Sequence, residues 1–444
     1  MASAADIKPW LRPASQSYLL SKANIVDVQA GSIKHNHYVV IRNGKITSVS
    51  PSAPSPSTLP AEYITVDCQG QYISPGLFDA HVHFVAVPGF DNLSKAFGNF
   101  NDVSLLRQPY VAQQMLHRGF TSVRDCGGAQ LALKQAIEDG VFPGPRLFIA
   151  GHALSQSGGH GDIRSAHDHT QCCAGHTNGL GRICDGVPAC MTAAREEIRS
   201  GADFIKIMGS GGVSTPTDRL EQLQFTKAEI RAIVECAENA GTYVTAHAYT
   251  PEAILHAIDN GVRGIEHGNF VTGEVARFMA EKGVYLTPTL ISYAEMDSER
   301  WRGYLPADGQ VKNTEVLSAG LQSLKIAADA GVTICYGSDL LGPLGLAQTG
   351  EFALRARALS SLAVLQSATV NPARMVGQSE LIGQVKEGFL ADVLFLSENP
   401  LEDVTVFDRP DECVLGVMKE GRVYKSRWEG LKEDADIPVR IKPS

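Results

Sequence analysis

Between Gln130 and Thr369 short β-branched runs alternate with amphipathic stretches, and this alternation constrains the fold more than any other feature of the chain. The runs "RLFIAG", "FIKIMG", "YVTAHA", "RGIEHG", "VYLTPTL" and "VTICYGSD" are separated by segments such as "TAAREEIRSG", "TKAEIRAIVECAENAG" and "TPEAILHAIDNG". Near-continuous apolar runs suit parallel strands buried on both faces, and most of the intervening segments close on a glycine that suits a helix C-terminus. Upstream, "ISPGLFDAHVHF" and "GFTSVRDCGG" add two more strands. Eight strand–helix units over roughly 250–310 residues predict an α/β fold, a (β/α)8 TIM barrel.

The flanks read differently. Residues 15–72 contain "YLLSKANIVDV" and "HYVVIRNGKITSVSP", and residues 384–425 contain "ADVLFL" and "CVLGVMKEGRVYKS", strand-like runs with Asn-Gly and Glu-Gly turns. Neither flank has enough strands for a stable core of its own. The expected organisation is therefore a β-sandwich built from both chain ends, 1–72 and 384–444, around a barrel over 73–383.

Composition narrows the partners. The 444 residues carry a formal net charge of -9 with no Lys/Arg-rich run, which argues against nucleic acid or a membrane surface and for a small molecule or short peptide. No apolar stretch reaches the roughly 18 residues of a membrane span, so the chain reads as cytoplasmic as written, or as secreted if a signal peptide was removed. Among nine cysteines, Cys172, Cys173, Cys184 and Cys190 cluster with His167, His169 and His176. They lack Cys-x-x-Cys spacing, so a structural role is favoured over a zinc knot or disulfide pair. The polar segment from Ala166 to Cys184 reads as a lid or rim.

In a barrel of this kind the active site lies at the C-terminal strand ends. That edge offers His81 and His83 on the first strand, Lys206 on the fourth, His247 on the fifth, His267 on the sixth and Asp339 on the eighth. A lone histidine at such a place is more often a core residue, but six ionisable groups converging on one mouth point to metal chemistry. Arg124 and Glu266 are candidates to orient these groups, although strand alternation beside His267 turns Glu266 away and favours a structural role for it. His160 and Asp162 of "GGHGD" fall on the same rim, where a substrate contact and a turn with a capping histidine are both open readings. "GSGGVST" lacks the Gly-Lys-Ser/Thr ending of a phosphate loop and reads as a flexible loop over the site.

Taken together, "PGLFDAHVH", "GADFIKI", "AHAY", "IEHG", "GSD" and "VKEGFLADVLFL" resemble the amidohydrolase superfamily over nearly the whole chain. Within it, "SQSGGHGD", "ICDG" and "GSGGVSTP" resemble the branch of metal-dependent carboxypeptidases and Xaa-Pro dipeptidases that includes fungal ochratoxinase. The resemblance implies two divalent ions, with zinc expected from the imidazole and carboxylate donors. His81, His83 and Asp339 would hold one, His247 and His267 the other. Lys206 would bridge them as a carbamate formed with carbon dioxide, because an ammonium group cannot be a ligand. A hydroxide shared by the ions would attack the amide bond to a C-terminal amino acid, extending to ochratoxin-like aryl amides, with Asp339 moving the proton. Tyr249 and His160 are expected to read the substrate carboxylate. The resemblance also implies a homo-oligomer. Three rivals remain: a deaminase, which would need a glutamate near Tyr249 where only Glu252 follows, a lactonase, and a barrel scaffold without catalysis.

Overall fold

The computed structural model describes residues 4–97, 102–165, 167–168, 179–215 and 217–434. All eight expected runs form strands: β1 (Leu77–Val82), β2 (Phe120–Asp125), β3 (Arg146–Ile149), β4 (Ile205–Met208), β5 (Val244–Ala248), β6 (Gly264–His267), β7 (Tyr285–Thr287) and β8 (Thr333–Ile334). Neighbours in this order pair in parallel within two sheets. One holds β1, β2 and β3. The other holds β4 to β8 with two short strands not expected from the sequence, Ala153–Ser155 and Gly181–Ile183.

The two seams between these sheets have local causes. After β3 the chain turns at Gly151, φ +70°, before Ala153–Ser155 pairs with β4 through Leu154 and Ile207. The backbone N of Asp203 donates to the carbonyl of Ile149 at 2.7 Å across that break. On the other side, Ala80 N donates to Tyr336 O and Asp339 N to His81 O, at 2.7 and 2.8 Å. Asp79 fastens the same seam, accepting from Ser338 Oγ at 2.6 Å, from Ser338 N at 3.1 Å and from Gln348 at 2.8 Å.

Strand alternation divides each run into an outer and an inner row. Ile205, Ile207, Val244, Ala246, Ala248, Ile265, Leu286 and Ile334 join the apolar faces of the helices in the largest core cluster. Helix Lys227–Asn239 begins with Thr226 and Glu229 in a reciprocal capping box, and helix Gly273–Lys282 ends on Gly283 in the left-handed conformation that a side chain would disfavour.

Strands from both chain ends join one eight-stranded sheet, as their shared need for a core requires. Val393–Leu396 bridges the ends by pairing with Tyr72–Pro75. Its alternate residues part company: Val393 and Phe395 enter a core with Tyr18, Leu20, Ile25 and Val39, while Leu394 and Leu396 pack toward Leu77, Phe120 and Leu147 of the parallel strands. Among the described residues no helix is long and apolar enough to cross a membrane. Cys184 and Cys190 are buried free thiols, whereas Cys172, Cys173, His169, His176 and most of the expected rim lie outside the described residues.

Candidate active site

His81, His83, His160, Lys206, His247, Tyr249, His267 and Asp339 all line one pocket of about 690 Å³ at the C-terminal strand ends. On β5, alternation sends Thr245, His247 and Tyr249 inward while Ala246 and Ala248 join the outer core. His81 and His83, two residues apart at the end of β1, reach the same mouth. His267 breaks the strand rule, and Asp339 lies in the segment beyond β8. Both hold a left-handed backbone, φ +74° and +49°, which costs about 1–3 kcal/mol each and is typical of functional positions.

That break corrects the expectation for Glu266. Because His267 is turned back toward the mouth by its own backbone, Glu266 also faces the interior. It accepts from His81 Nδ1 at 2.8 Å, and from Arg124 and Thr245 on its other oxygen. Glu266 therefore positions a site residue and does not serve the frame alone.

Each of four imidazoles spends one nitrogen on the protein. His81 Nδ1 donates to Glu266, His83 Nδ1 to Gly127 O at 2.8 Å, and His247 Nε2 to Gly211 O at 3.2 Å. His267 Nδ1 meets the hydroxyls of Thr289 and Tyr293 at 2.7 and 2.8 Å. The other nitrogen of His247 and of His267 is left for a ligand role, and those of His81 and His83 turn toward Asp339; outer hydrogen bonds of this kind orient metal-binding histidines.

The donor spacing fits a cation. His81 Nε2 and His83 Nε2 are 3.3 Å apart and lie 3.4 and 3.2 Å from Asp339 Oδ1. Ligands about 2.0–2.1 Å from a tetrahedral ion stand about 3.3–3.4 Å from one another, so these three atoms span one face of such a site. His267 shares the group with His81 and Asp339. A second trio, His81, Cys126 and Glu266, is less suited, since Arg124 occupies Glu266 and burial raises the Cys126 thiol far above its usual pKa.

Protonation follows the same pattern. Burial pushes His81 down to about 4 against the pull of Asp339, and holds His247 and His267 well below the ordinary range. Burial works on His83 in the same sense, but its hydrogen bond to Asp339 and that residue's charge outweigh it and raise the pKa. Burial would raise Asp339, yet His81 and His83 keep it well below the carboxylate range. His81, His247 and His267 are thus neutral rings beside an ionised carboxylate, the forms a metal needs, while His83 is held by that carboxylate. Lys206 is 1 % exposed, and no hydrogen bond or ion pair to its ammonium is formed by the described residues. A buried charge left without a partner is costly.

His160 stacks on His247 at 4.4 Å and is held through Nδ1 by Thr215 at 2.9 Å and Asp218 at 3.2 Å. Asp162 is bound to Arg164 and Gly158 and lies outside the pocket lining. The "GSGGVST" loop contributes Val213 and Ser214 and is pinned by Lys312, whose ammonium donates to the carbonyls of Gly212, Thr215 and Asp218. Glu252 is exposed on helix Pro251–Ile258 and does not line the pocket. Sequence reasoning missed Thr289 and Tyr293. Their run, "TPTLISY", carries no spacing that marks it.

The class that this fold and site define is a hydrolase of amide or peptide bonds. The chain belongs to the amidohydrolase family, whose sequence profile matches residues 72–424. It is 34% identical to ochratoxinase of Aspergillus niger over 380 residues, 82% of this chain and 78% of that one. A prolidase crystallised with N-methylphosphonate-L-proline superposes with a TM-score of 0.88 at 40% identity, covering 93% of this chain and 100% of that one. A Xaa-Pro dipeptidase with methionine bound in its active site gives 0.80 at 27% identity over 93% and 100% of the two chains.

Proposed function

We propose that this chain hydrolyses the amide bond to a C-terminal amino acid, as a carboxypeptidase or dipeptidase, with reach to ochratoxin-like aryl amides. The observation that carries the reading is the set of four imidazoles, each anchored to the protein through one nitrogen, around an ionised Asp339. The names of the similar prolidase, dipeptidase and ochratoxinase support it.

In this reading the two parallel sheets are one (β/α)8 barrel, and the two-ended sheet is the sandwich beside it. His81, His83 and Asp339 would hold one divalent ion and His247 and His267 a second, with zinc in both. Lys206 would complete the donor set as a carbamate, formed when its neutral amine adds to carbon dioxide and gives up a proton. Such a pair of ions supplies an acidified water and a Lewis acid for the scissile carbonyl. Asp339 takes the proton of the attacking water and returns it to the leaving amine. Tyr249 and His160 meet the substrate carboxylate, and Ile163, Leu180, Met208, Val213, Met296 and Leu341 form an apolar wall for its side chains. Leu105 and Leu106 are 54% and 82% exposed, in keeping with a homo-oligomer.

A panel of N-acyl amino acids and dipeptides, each paired with its C-terminal amide and read by amine release, tests the reading. Wild type should prefer the free acid. Tyr249→Phe and His160→Ala should each lose about 1.5–3 kcal/mol of that preference. Equal wild-type rates on acid and amide would leave a general amidase. Elemental analysis should find two ions per chain, and one ion in fully active enzyme ends the binuclear part.

A further inference from the structure

A second pocket, of about 560 Å³, shares His83 with the first and is otherwise built from different residues. Its walls are apolar: Pro88 from the loop after β1, Val111 and Met115 from helix Asp102–His117, and Pro343 from the short helix Gly342–Ala347. Tyr110 and Leu346 stand at its rim, 53% and 57% exposed.

Into this lining Arg118 brings a guanidinium. Its Nε and Nη2 donate to Gln348 Oε1 at 3.0 and 2.8 Å, and Gln348 donates in turn to the buried Asp79 at 2.8 Å, so a carboxylate lies behind the amide and none touches the guanidinium itself among the described residues. Burial pushes its pKa down to about 10, the mark of a desolvated cation. The amide of Gln114 lies in the same lining. An apolar pocket suits a small ligand, and a guanidinium with no carboxylate in direct contact suits a planar anion that it can grip with two parallel bonds.

We propose that this pocket is a second small-molecule site, taking an apolar monocarboxylate with its head on Arg118 and its body along Met115, Val111 and Pro343. A neutral ligand would leave the guanidinium unmatched, and a small inorganic anion would leave the apolar walls uncovered. An acid with a hydrocarbon or aryl body satisfies both. Two sources carry this chemistry: free acid from solution, and the acyl half released when an N-acyl amino acid is cut.

Titration calorimetry of the metal-loaded enzyme with octanoate tests the site directly, with the first pocket filled by a phosphonate dipeptide analogue. One equivalent per chain should bind, and Arg118→Met should weaken it at least tenfold. Gly345→Phe should do the same by filling the cavity, since nothing lies within 4 Å of a Cβ placed at Gly345. Octanamide should bind wild type as weakly as octanoate binds Arg118→Met. Unchanged octanoate affinity in both variants overturns the proposal. So does loss of all octanoate binding in the presence of the phosphonate, which would put the acid in the first pocket. A single turnover of an N-octanoyl amino acid separates the sources. Octanoate retained by wild type and released by Gly345→Phe assigns it to the reaction, and equal release beside the positive titration assigns it to uptake from solution. The titration reads binding alone, so its failure is distinct from failure of the hydrolytic reading.

Discussion

Nδ1 of His81 donates a 2.8 Å hydrogen bond to Glu266, and the second oxygen of that carboxylate takes the guanidinium of Arg124, so a residue on β6 and a residue on β2 together orient a ring on β1. All three are buried. Glu266→Gln should lower metal affinity about 10–100-fold, because His81 loses the partner that fixes its tautomer. It should also cost about 3–5 kcal/mol of stability by leaving the Arg124 charge unpaired. Adding Arg124→Met should recover much of the stability and none of the affinity. Metal titration and thermal melts of the single and double variants check both halves, and wild-type metal affinity in Glu266→Gln would show the pairing to be idle.

Gly337 lies just past β8, against Thr287 of β7 and His81 of β1. A Cβ there would clash with the Thr287 side chain and stand 2.9 Å from the Cβ of His81. Its backbone is not in the left-handed region, so the demand for glycine is one of space. Gly337→Ala should destabilise the protein by about 1–3 kcal/mol through overpacking and displace His81 from Asp339. The expected readout is a lower melting temperature with a larger fractional loss of bound metal. Full metal content at a reduced melting temperature would confine the effect to packing.

Much of this site was legible because strand alternation is a strict rule over short distances. His247, Tyr249 and Lys206 follow it, and their pocket positions could be read from spacing to the outer-core residues between them. The rule failed at His267, where a positive φ resets the direction of the side chain. Applied from His267 backward, it turned Glu266 away from the ring that Glu266 in fact holds. Asp79 shows another limit: its partners Ser338 and Gln348 lie more than 250 residues away, and no local pattern announces a pairing across the seam. Tyr293 stands on a helix after β7 whose sequence has no distinctive period, so its bonds to His267 and Tyr249 required the fold. The two-ended sheet was legible for a thermodynamic reason, since neither flank could bury its apolar rows alone.

Acid should loosen the metal-free protein. His81, held down at about 4, binds fewer protons when folded than an unfolded histidine with its ordinary value of 6.5. Between those values the unfolded chain takes up more protons, so stability rises with pH and is lost as pH falls from about 6.5 toward 4. His247 and His267, pushed lower by the same burial, extend the loss in the same direction. His83 has the opposite sign, because its raised pKa adds stability that disappears as pH climbs through it. Asp339, held below the carboxylate range, adds to the loss at the acid end, where the unfolded carboxyl begins to take up protons at about pH 5. Glu351, raised by burial to about 7, and Asp79 and Asp125, raised likewise, have the opposite sign, so the histidine contribution is read by difference: chelator-treated wild type should lose more melting temperature between pH 6.5 and 4 than His81→Asn does. Equal pH slopes in the two proteins would contradict a neutral ring at His81.

The last expectation concerns Lys206, a buried ammonium on β4 that faces four imidazoles and has no anionic partner of its own among the described residues. If its role is to become an anion between two ions, removing it should leave a gap of the right size and charge preference for a small carboxylate. Lys206→Ala should then lose metal and activity, and acetate or propionate in the buffer should restore part of both. Lys206→Arg should show no rescue, since a guanidinium fills the gap with a permanent positive charge. A purely structural lysine would behave otherwise: the stability of Lys206→Ala would change with little regard to added acid, and its activity would stay near that of wild type. Metal content measured with and without acetate, beside the hydrolysis rate, separates these outcomes. Rescue that appears in activity and metal content together, and only in the alanine variant, places a carboxylate-like group between the histidines.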